Sequence, residues 1–264
     1  MTTFPRTRLS AWTSRPPLAV ALDVPDGPSA LRLAEAVAPH VAVLKVGLGL
    51  FYREGPGIVT ALRDVVTDGL RDAVVDEQGV DEQGDGRSAG GDRVGLFLDL
   101  KLHDIPNTVA AGMRSVARLE PRYVTVHATG GAAMVRAAVD AAPDVEIAAV
   151  TVLTSLGSAE LASAGFGGTP SDVVRRLAAV AVAAGARAVV CSPREAAAVR
   201  AEVGSGVTLI TPGIRAAGSL PDDQARTTTP AEAVEAGSDL LVVGRPIIAS
   251  SDPGAAAARF VTGC

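Results

Sequence analysis

Charged residues stand at the ends of three apolar runs in the first part of this chain. The first run ends in Asp23, the second contains Lys45, and the third ends in Asp99-Leu100-Lys101, which Asp104 follows. Because successive side chains of a strand alternate between its two faces, Asp99 and Lys101 are expected on the same side of their strand. Ionised groups are costly to bury unless they are paired. The carboxylates and ammonium groups at these strand ends are therefore predicted to form a network of alternating charge.

Such a network could hold a lysine protonated and aimed at a carbon on which negative charge develops. The alternative is a set of unrelated salt bridges at the rim of the fold, which would be the better interpretation of a single Asp or Lys. The spacing Asp-x-Lys-x-x-Asp on one strand end, with Asp and Lys on the two preceding strand ends, favours the catalytic interpretation.

Eight short apolar runs are candidates for the strands that position these residues. The runs are rich in Val, Leu, Ile and Ala with little polar alternation, which is typical of strands buried on both faces, as in parallel sheets. Their predicted bounds are 18–23, 41–46, 94–101, 123–127, 147–153, 186–191, 207–211 and 240–244.

Helix signals separate the predicted strands. Five positions carry Pro, Ser, Thr or Asp where a helix could begin, and two glycines stand where helices should stop. The starts are Pro28-Ser29, Pro106, Ser171-Asp172, Ser192-Pro193 and Thr229-Pro230, and the stops are Gly185 and Gly237. Eight strand–helix units in 264 residues predict a single-domain α/β fold, the closed (β/α)8 TIM barrel. A doubly wound open sheet is the alternative, but no GxGxxG follows the first strand.

Two segments fall outside this alternation of strands and helices. Residues 1–17 are predicted to be a peripheral leader, and residues 18–264 the barrel domain. Residues 68–93 are acidic, rich in glycine and contain a repeated DEQG, so they have too little apolar surface to order themselves well. We interpret this segment as a mobile surface insertion between the second helix and the third strand; a role in binding a partner is the less favoured alternative.

Composition narrows the class of protein. The net charge of −5 argues against a nucleic-acid or membrane surface, because both require a basic face. No apolar stretch reaches the ~20 residues that span a bilayer, and the N-terminal residues do not resemble a signal peptide. The two cysteines, Cys191 and Cys264, suggest neither a disulfide framework nor a metal site, so a cytoplasmic location is expected.

One segment closely resembles the signature of a known family. DLKLHDIPNT, residues 99–108, is similar to the signature of the orotidine 5'-phosphate decarboxylase family in its common bacterial form. Further segments resemble other landmarks of that family in the same order, namely LAVALDVPD (18–26), LKVGLGLF (44–51), TVLTS (151–155), TPGIR (211–215), DDQARTTTP (222–230) and VVGRPI (242–247). The resemblance spans nearly the whole chain, apart from the leader and the acidic insertion.

The resemblance implies a decarboxylase that converts orotidine 5'-monophosphate to uridine 5'-monophosphate and carbon dioxide without a cofactor or metal. Lys101 would donate a proton to pyrimidine carbon C6, with Asp99 and Asp104 flanking it. Asp104 would reach the active site of the neighbouring subunit of a homodimer. Lys45 would complete the network and, with Asp23, hold the ribose hydroxyls.

The resemblance also assigns residues to the two ends of the substrate. Thr108 would cross the dimer interface, Thr154 would contact the pyrimidine edge, and Pro212 would pack near the ring. Arg215, Gln224, Gly244 and Arg245 would bind the phosphate, in loops after the seventh and eighth strands where TIM barrels often hold phosphate. Residues 213–224 would form a closing lid.

The chemistry agrees with these implied roles. Loss of carbon dioxide from orotate leaves a carbanion that no π system delocalises, so preorganised electrostatics must stabilise it, and a fixed ammonium suits this task. Repulsion between Asp99 and the departing carboxylate is a second, contested contribution.

Other functions remain as alternatives. One is a magnesium-dependent sugar-phosphate decarboxylase or hexulose-phosphate synthase with the same Asp-x-Lys-x-x-Asp strand, and another is a catalytically silent barrel that binds uridine nucleotides. His103 is interpreted as an interface or scaffolding residue, whereas the role of His127, at the end of the fourth strand, is left open. Cys191 is interpreted as a small buried residue rather than a nucleophile.

Overall fold

Eight parallel strands close into a barrel in the computed structural model, which describes residues 15–75, 93–215 and 228–262. Each strand pairs with the next one along the chain, and β8 pairs with β1. The strands are β1 (Leu18–Ala21), β2 (Val43–Gly47), β3 (Gly95–Leu102), β4 (Tyr123–His127), β5 (Glu146–Val150), β6 (Ala188–Val190), β7 (Thr208–Thr211) and β8 (Leu240–Val243). The predicted (β/α)8 barrel is confirmed.

Helices follow the strands and cover the outside of the barrel. They are α1 (Gly27–Val37), α2 (Leu48–Glu54), α3 (Gly57–Val75), α4 (Pro106–Ala117), α5 (Gly131–Ala141), α6 (Ser158–Ser163), α7 (Pro170–Ala183), α8 (Ala196–Val203), α9 (Pro230–Glu235), α10 (Arg245–Ile248) and α11 (Pro253–Thr262). Among the described residues, no helix is long and apolar enough to cross a membrane.

All eight predicted strands are present, but several are shorter than their apolar runs. The first strand ends at Ala21 rather than at residue 23, and the fifth ends at Val150 rather than at residue 153. The apolar runs continue into the loops above the barrel, where Leu22 and Val152 are still buried. Burial, rather than strand pairing, therefore explains the apolar residues at these ends.

Side-chain caps explain most of the predicted helix starts. Asp26 accepts a hydrogen bond from the Ser29 backbone N–H (2.8 Å) at the start of α1, and Thr169 and Thr229 form capping boxes at α7 and α9. The predicted start at Ser192-Pro193 is wrong, because α8 begins at Ala196. The Ser192 carbonyl accepts a hydrogen bond from the Glu195 N–H (3.0 Å), so these residues form a turn that precedes the helix.

Glycine ends two helices as predicted. Gly185 follows α7 with a φ of 103°, and Gly237 follows α9 with a φ of 101°. This left-handed conformation carries no steric penalty for glycine, so the chain can leave the helix and enter the next strand.

Large side chains from two strands fill the barrel interior where other strands supply small ones. Phe97 of β3 and Tyr123 of β4 meet edge to face, with ring centroids 5.7 Å apart. Ala19, Ala148 and Ala188 on β1, β5 and β6 belong to the same buried cluster. Outside this interior cluster, a second and larger apolar layer lies between the strands and the helices.

The two segments predicted to lie outside the alternation of strands and helices, the leader and the acidic insertion, are described only in part. Residues 68–75 continue α3, so the predicted insertion begins with helical backbone, and residues 76–92 lie outside the described residues. Of the leader, residues 15–17 are described, and the Pro17 carbonyl accepts a hydrogen bond from the Leu241 N–H (2.9 Å) at the start of β8. The insertion and the leader stay predictions.

A buried ion pair joins α8 to the last two strands. The guanidinium of Arg200 contacts the Asp239 carboxylate and donates hydrogen bonds to the carbonyls of Val207 (2.7 Å) and Gly237 (3.0 Å). Asp239 in turn accepts a hydrogen bond from the Leu209 N–H (2.7 Å) on β7. The Arg200 and Asp239 side chains are 8% and 13% exposed, so water cannot replace either partner fully.

We predict that Arg200→Ala lowers the free energy of unfolding by about 3–5 kcal/mol, because it leaves a buried carboxylate without its partner. Urea unfolding followed by circular dichroism measures this loss. Arg175→Ala is the matched control: it removes a more exposed pair with Glu202, 2.7 Å long, and should cost less than about 1 kcal/mol. Equal losses in the two variants would contradict the structural role of the Arg200–Asp239 pair.

Candidate active site

A cavity of about 570 Å³ opens at the carboxyl-terminal ends of the strands, inside the ring of loops. This is the end of a TIM barrel at which active sites lie. Most of the site residues predicted from sequence line the cavity, namely Asp23, Lys45, Asp99, Lys101, Thr154, Pro212, Arg215, Gly244 and Arg245.

Four charged side chains form a continuous chain along one side of the cavity. Lys101 Nζ lies 2.8 Å from Asp99 Oδ1, and Lys45 Nζ lies 3.2 Å from Asp99 Oδ2. Lys45 Nζ is also 3.8 Å from Asp23 Oδ1. The order Asp23, Lys45, Asp99, Lys101 therefore alternates in sign. Each oxygen of Asp99 binds a different lysine, so this carboxylate links the Asp23–Lys45 ion pair to Lys101.

Burial and charge act in opposite directions on Asp99. Its removal from water raises the pKa of the carboxyl, but the ammonium groups of Lys45 and Lys101 outweigh this effect, and the pKa is lowered. Asp99 thus carries its full negative charge at neutral pH. Lys101 is the more open of the two lysines, with 29% of its side chain exposed against 10% for Lys45, so its ammonium can meet a molecule in the cavity.

The chain holds two lysines among its 24 basic residues, and both lie in this network. Arginine carries every other permanent positive charge of the side chains. Lys and Arg differ chemically, because an ammonium is a compact charge that can transfer a proton whereas a guanidinium stays protonated in proteins. The location of both lysines agrees with chemistry that requires a transferable proton.

An irregularity of β3 positions Asp99 and Lys101. Pairing with β4 shifts between Leu98 and Leu102, which lie opposite Val124 and Val126. Three residues of β3 therefore face one residue of β4, and Lys101 has a φ of +51°. The two charged side chains meet as predicted, but the assumption of regular strand alternation was wrong. A β-bulge orients them instead.

A glycine at the end of β2 leaves space for the first ion pair of the network. A Cβ at Gly47 would lie 3.0 Å from Asp23 Oδ1 and 3.4 Å from Lys45 Nζ, so a larger residue would crowd the first ion pair. The role of Gly47 was not predicted from sequence, although its place directly after the Leu-Lys-Val of β2 was the available signal.

The predicted phosphate ligands are partly described. Arg245 is the exposed first residue of α10, and its neighbour Gly244 has a φ of −117° and a ψ of −104°, which belongs to neither helix nor strand. Arg215, which follows β7, also lines the cavity. Gln224 and residues 216–224 of the predicted lid lie outside the described residues.

Asp104 and Thr108 do not line the cavity of their own chain. Both are exposed, and Asp104 accepts a hydrogen bond from the Ile105 backbone N–H (2.6 Å). Ile105, between them, is 66% exposed. This placement agrees with the expectation that both residues act at the site of another subunit, which stays a prediction.

His103 and His127 lie beside the network rather than in the cavity wall. The rings of His103 and His127 are 5.5 Å apart. Burial lowers the pKa of His127, and the electrostatic interactions with His103 and Lys101 lower it further against the opposing effect of Asp99. His127 is therefore neutral at pH 7. It does not line the cavity, so no contact with a substrate is assigned to it.

Neither a thiol nucleophile nor a metal cluster is found in the described part of the chain. Cys191 is 1% exposed, and burial, reinforced by the charge of Glu195, raises the pKa of its thiol to about 12. No group of three or more His, Cys, Asp or Glu side chains in residues 15–75, 93–215 and 228–262 could hold a metal ion. The Asp and Lys side chains that line the cavity can transfer a proton and stabilise charge.

We predict that Cys191 resists thiol reagents in the folded protein, because a buried thiol with a raised pKa supplies almost no thiolate. In a Cys264→Ser variant, Cys191 is the single cysteine, so its labelling by Ellman's reagent can be followed directly. At pH 8 the native variant should react slowly, whereas the same variant in urea should react fully. Rapid stoichiometric labelling of the native protein would show that the thiol is accessible.

Known proteins resemble this chain along nearly its whole length. The model of the "Orotidine 5'-phosphate decarboxylase / HUMPS family" matches residues 16–260. The chain is 62% identical over 250 residues to an orotidine 5'-phosphate decarboxylase of Frankia casuarinae, covering 94% of this chain and 88% of that protein. It is 58% identical over 244 residues to the enzyme of the same name from Thermobifida fusca, covering 92% and 94%.

A solved structure agrees with these relatives. The crystal structure of orotidine 5'-phosphate decarboxylase from Lactobacillus acidophilus superposes with a TM-score of 0.74 at 31% identity, covering 95% of this chain and 99% of that one. On the match of the family model and the identity to these relatives, the chain belongs to the orotidine 5'-phosphate decarboxylase / HUMPS family.

Proposed function

We propose that this protein is an orotidine 5'-phosphate decarboxylase, which converts orotidine 5'-monophosphate to uridine 5'-monophosphate and carbon dioxide. The observation that carries the proposal is the alternating chain of charges at the cavity, with Lys101 at its open end. The names of the relatives at 62% and 58% identity support the substrate.

The reaction requires one bond to break and one to form at the same carbon. The bond between C6 of the pyrimidine and its carboxylate breaks, carbon dioxide leaves, and the electron pair remains on C6. The Lys101 ammonium stabilises this negative charge and donates a proton to C6, and the neutral amine then regains a proton from water. A positive charge that is already in position needs no reorganisation when the carbanion forms, which is the advantage of a preorganised site.

Asp99 acts on both the bound substrate and the carbanion that forms from it. Its contact with Lys101 Nζ (2.8 Å) fixes the ammonium, and its contact with Lys45 Nζ (3.2 Å) fixes the carboxylate itself. A substrate carboxylate bound beside Asp99 is repelled, and the repulsion disappears when carbon dioxide leaves. Stabilisation of the carbanion and destabilisation of the bound substrate therefore act in the same direction.

The rest of the cavity binds the parts of the substrate that do not react. Asp23 and Lys45 bind the ribose hydroxyls, whereas Thr154 and Pro212 contact the pyrimidine. The phosphate ligands are Arg215, Gln224, Gly244 and Arg245, and an Arg fork matches the geometry of phosphate oxygens. Closure of residues 213–224 over the phosphate uses the energy of this remote contact to order the reacting groups.

The active sites are shared between two copies of the chain. Asp104 and Thr108 extend from the exposed loop and first turn after β3 into the partner's cavity, and the exposed Ile105 packs in the interface between the copies. A homodimer in the cytoplasm is the expected form of the enzyme, and the free thiol of Cys191 suits a reducing compartment.

The second candidate is a magnesium-dependent sugar-phosphate enzyme, because the family description includes HUMPS proteins beside the decarboxylases. Both candidates need the Asp-x-Lys-x-x-Asp strand. Turnover in the presence of a chelator distinguishes them, since the second candidate would require a bound magnesium ion to stabilise negative charge.

We predict that the native protein consumes orotidine 5'-monophosphate in the presence of EDTA. Lys101→Ala should lower kcat by about 10²–10⁴-fold, which is the usual contribution of a general acid. Loss of substrate absorbance measures the rate, and chromatography identifies uridine 5'-monophosphate. Folding of the variant is checked by its melting temperature. A folded native protein without turnover would refute the decarboxylase proposal, and metal-dependent turnover of a sugar phosphate would support the second candidate.

We predict that Asp104→Ala and Lys101→Ala variants, each inactive alone, regain activity when they are unfolded and refolded together. A mixed dimer has one site with both native residues, so equal mixing should restore about one quarter of the native activity. A mixture of Lys101→Ala with Asp99→Ala is the control and should stay inactive, because both residues act within the same chain. Recovery in the control alone, or in neither mixture, would contradict a site completed by the partner's Asp104.

A further inference from the structure

We infer that Thr125 is a positioning residue for the reaction: its buried hydroxyl holds the backbone of Lys101 and the carboxylate of Asp99 at the same time. Thr125 lies in the middle of β4 and is completely buried. The inference rests on the proposed role of Lys101 as proton donor.

The hydroxyl of Thr125 makes two hydrogen bonds to the β-bulge of β3. Its Oγ1 accepts a hydrogen bond from the Lys101 backbone N–H (2.8 Å) and donates one to Asp99 Oδ1 (3.1 Å). Asp99 Oδ1 is the same oxygen that contacts Lys101 Nζ. One side chain therefore contacts both members of the ion pair that holds the proton donor.

Thr125 supplies the hydrogen-bond acceptor that the Lys101 backbone N–H lacks at the β-bulge. Between Leu98 and Leu102 the regular ladder to β4 is interrupted, so the Lys101 N–H requires a partner other than a strand carbonyl. The φ of +51° at Lys101 lies in the left-handed region, which is strained for a residue with a Cβ. A hydrogen bond to a fixed acceptor stabilises the backbone conformation that aims the lysine side chain into the cavity.

The surroundings of Thr125 fit this role better than a general packing role. Its neighbours Val124 and Val126 face the helix-side core, whereas Thr125 alternates to the inside of the barrel. The residue opposite on β5 is Ala148, which offers no polar side chain. A hydroxyl both donates and accepts, so Thr125 satisfies an N–H and a carboxylate that valine, the residue on either side of it, would leave unsatisfied.

Thr125→Val tests the inference, because it keeps the shape of the side chain and removes the hydroxyl. We expect kcat for orotidine 5'-monophosphate to fall about 10- to 100-fold, since a hydrogen bond to a charged group is lost and Lys101 is less well aimed. KM should change less than about threefold, because the phosphate and ribose contacts are untouched. Thr125→Ser, which keeps the hydroxyl, should restore most of kcat.

Thr151→Val is the matched control. Thr151 is also a buried threonine, on the loop after β5, and its hydroxyl donates to the Val190 carbonyl (2.9 Å) rather than to the network. Its replacement should lower stability but leave kcat near the native value. Equal kcat losses in Thr125→Val and Thr151→Val would overturn the inference, as would a Thr125→Ser enzyme as slow as Thr125→Val.

A second readout does not depend on turnover. Because the chain has two lysines, protein labelled with ¹³C at lysine Cε should give two assignable methylene signals. Thr125→Val should shift the Lys101 signal more than that of Lys45, and Thr125→Ser should return it towards the native position. Unmoved signals would overturn the inference even in an active enzyme, whereas a native protein without turnover but with the predicted shifts would overturn the proposed function alone. If Thr125→Val does not fold, Thr125→Ala decides by the same two readouts.

Discussion

The carboxylate of Asp99, shared between Lys45 and Lys101, is the interaction on which the candidate active site depends. Two ammonium groups at a barrel mouth repel each other, and neither can be largely buried without a negative partner. Asp99 supplies one oxygen to each lysine, at 3.2 and 2.8 Å. Desolvation raises the pKa of Asp99, but the two lysines outweigh this effect, so Asp99 is ionised before any substrate arrives. The electrostatic field of the network is therefore already in place when negative charge develops on a bound molecule.

The barrel topology brings the members of this network together. Strands β1, β2 and β3 are adjacent, and Gly47 of β2 lies opposite Asp99 of β3. Because Gly47 has no side chain, the space beside Asp99 is open to Lys45, which lies two residues earlier on the same strand. Thr125 of β4 then supports Asp99 from the other side. Four consecutive strands thus hold one cluster of charges, and the remaining strands contribute the walls that meet the rest of the substrate.

Sequence reasoning could predict the parts of this arrangement that leave a pattern in the residue order. Buried strands produce continuous apolar runs, helix starts carry capping residues, and charges that end apolar runs are conspicuous. The β-bulge of β3 leaves no such pattern, because DLKL is compatible with a regular strand. The contacts of Thr125 and Gly47 depend on which residues lie across the sheet. The start of α8 at Ala196 rather than beside Pro193 depends similarly on a local turn, since Ser and Pro also begin turns.

The most direct test of the central claim is nuclear magnetic resonance of the two lysines in protein labelled with ¹³C at lysine Cε. If Asp99 is shared, Asp99→Asn should shift the Cε signals of both Lys45 and Lys101. Asp23→Asn should shift mainly that of Lys45, because Asp23 Oδ1 lies 3.8 Å from Lys45 Nζ at the far end of the chain of charges. If the chemical shift of the Lys101 Cε signal is unchanged in Asp99→Asn, the claim that this carboxylate holds the proton donor in place is contradicted.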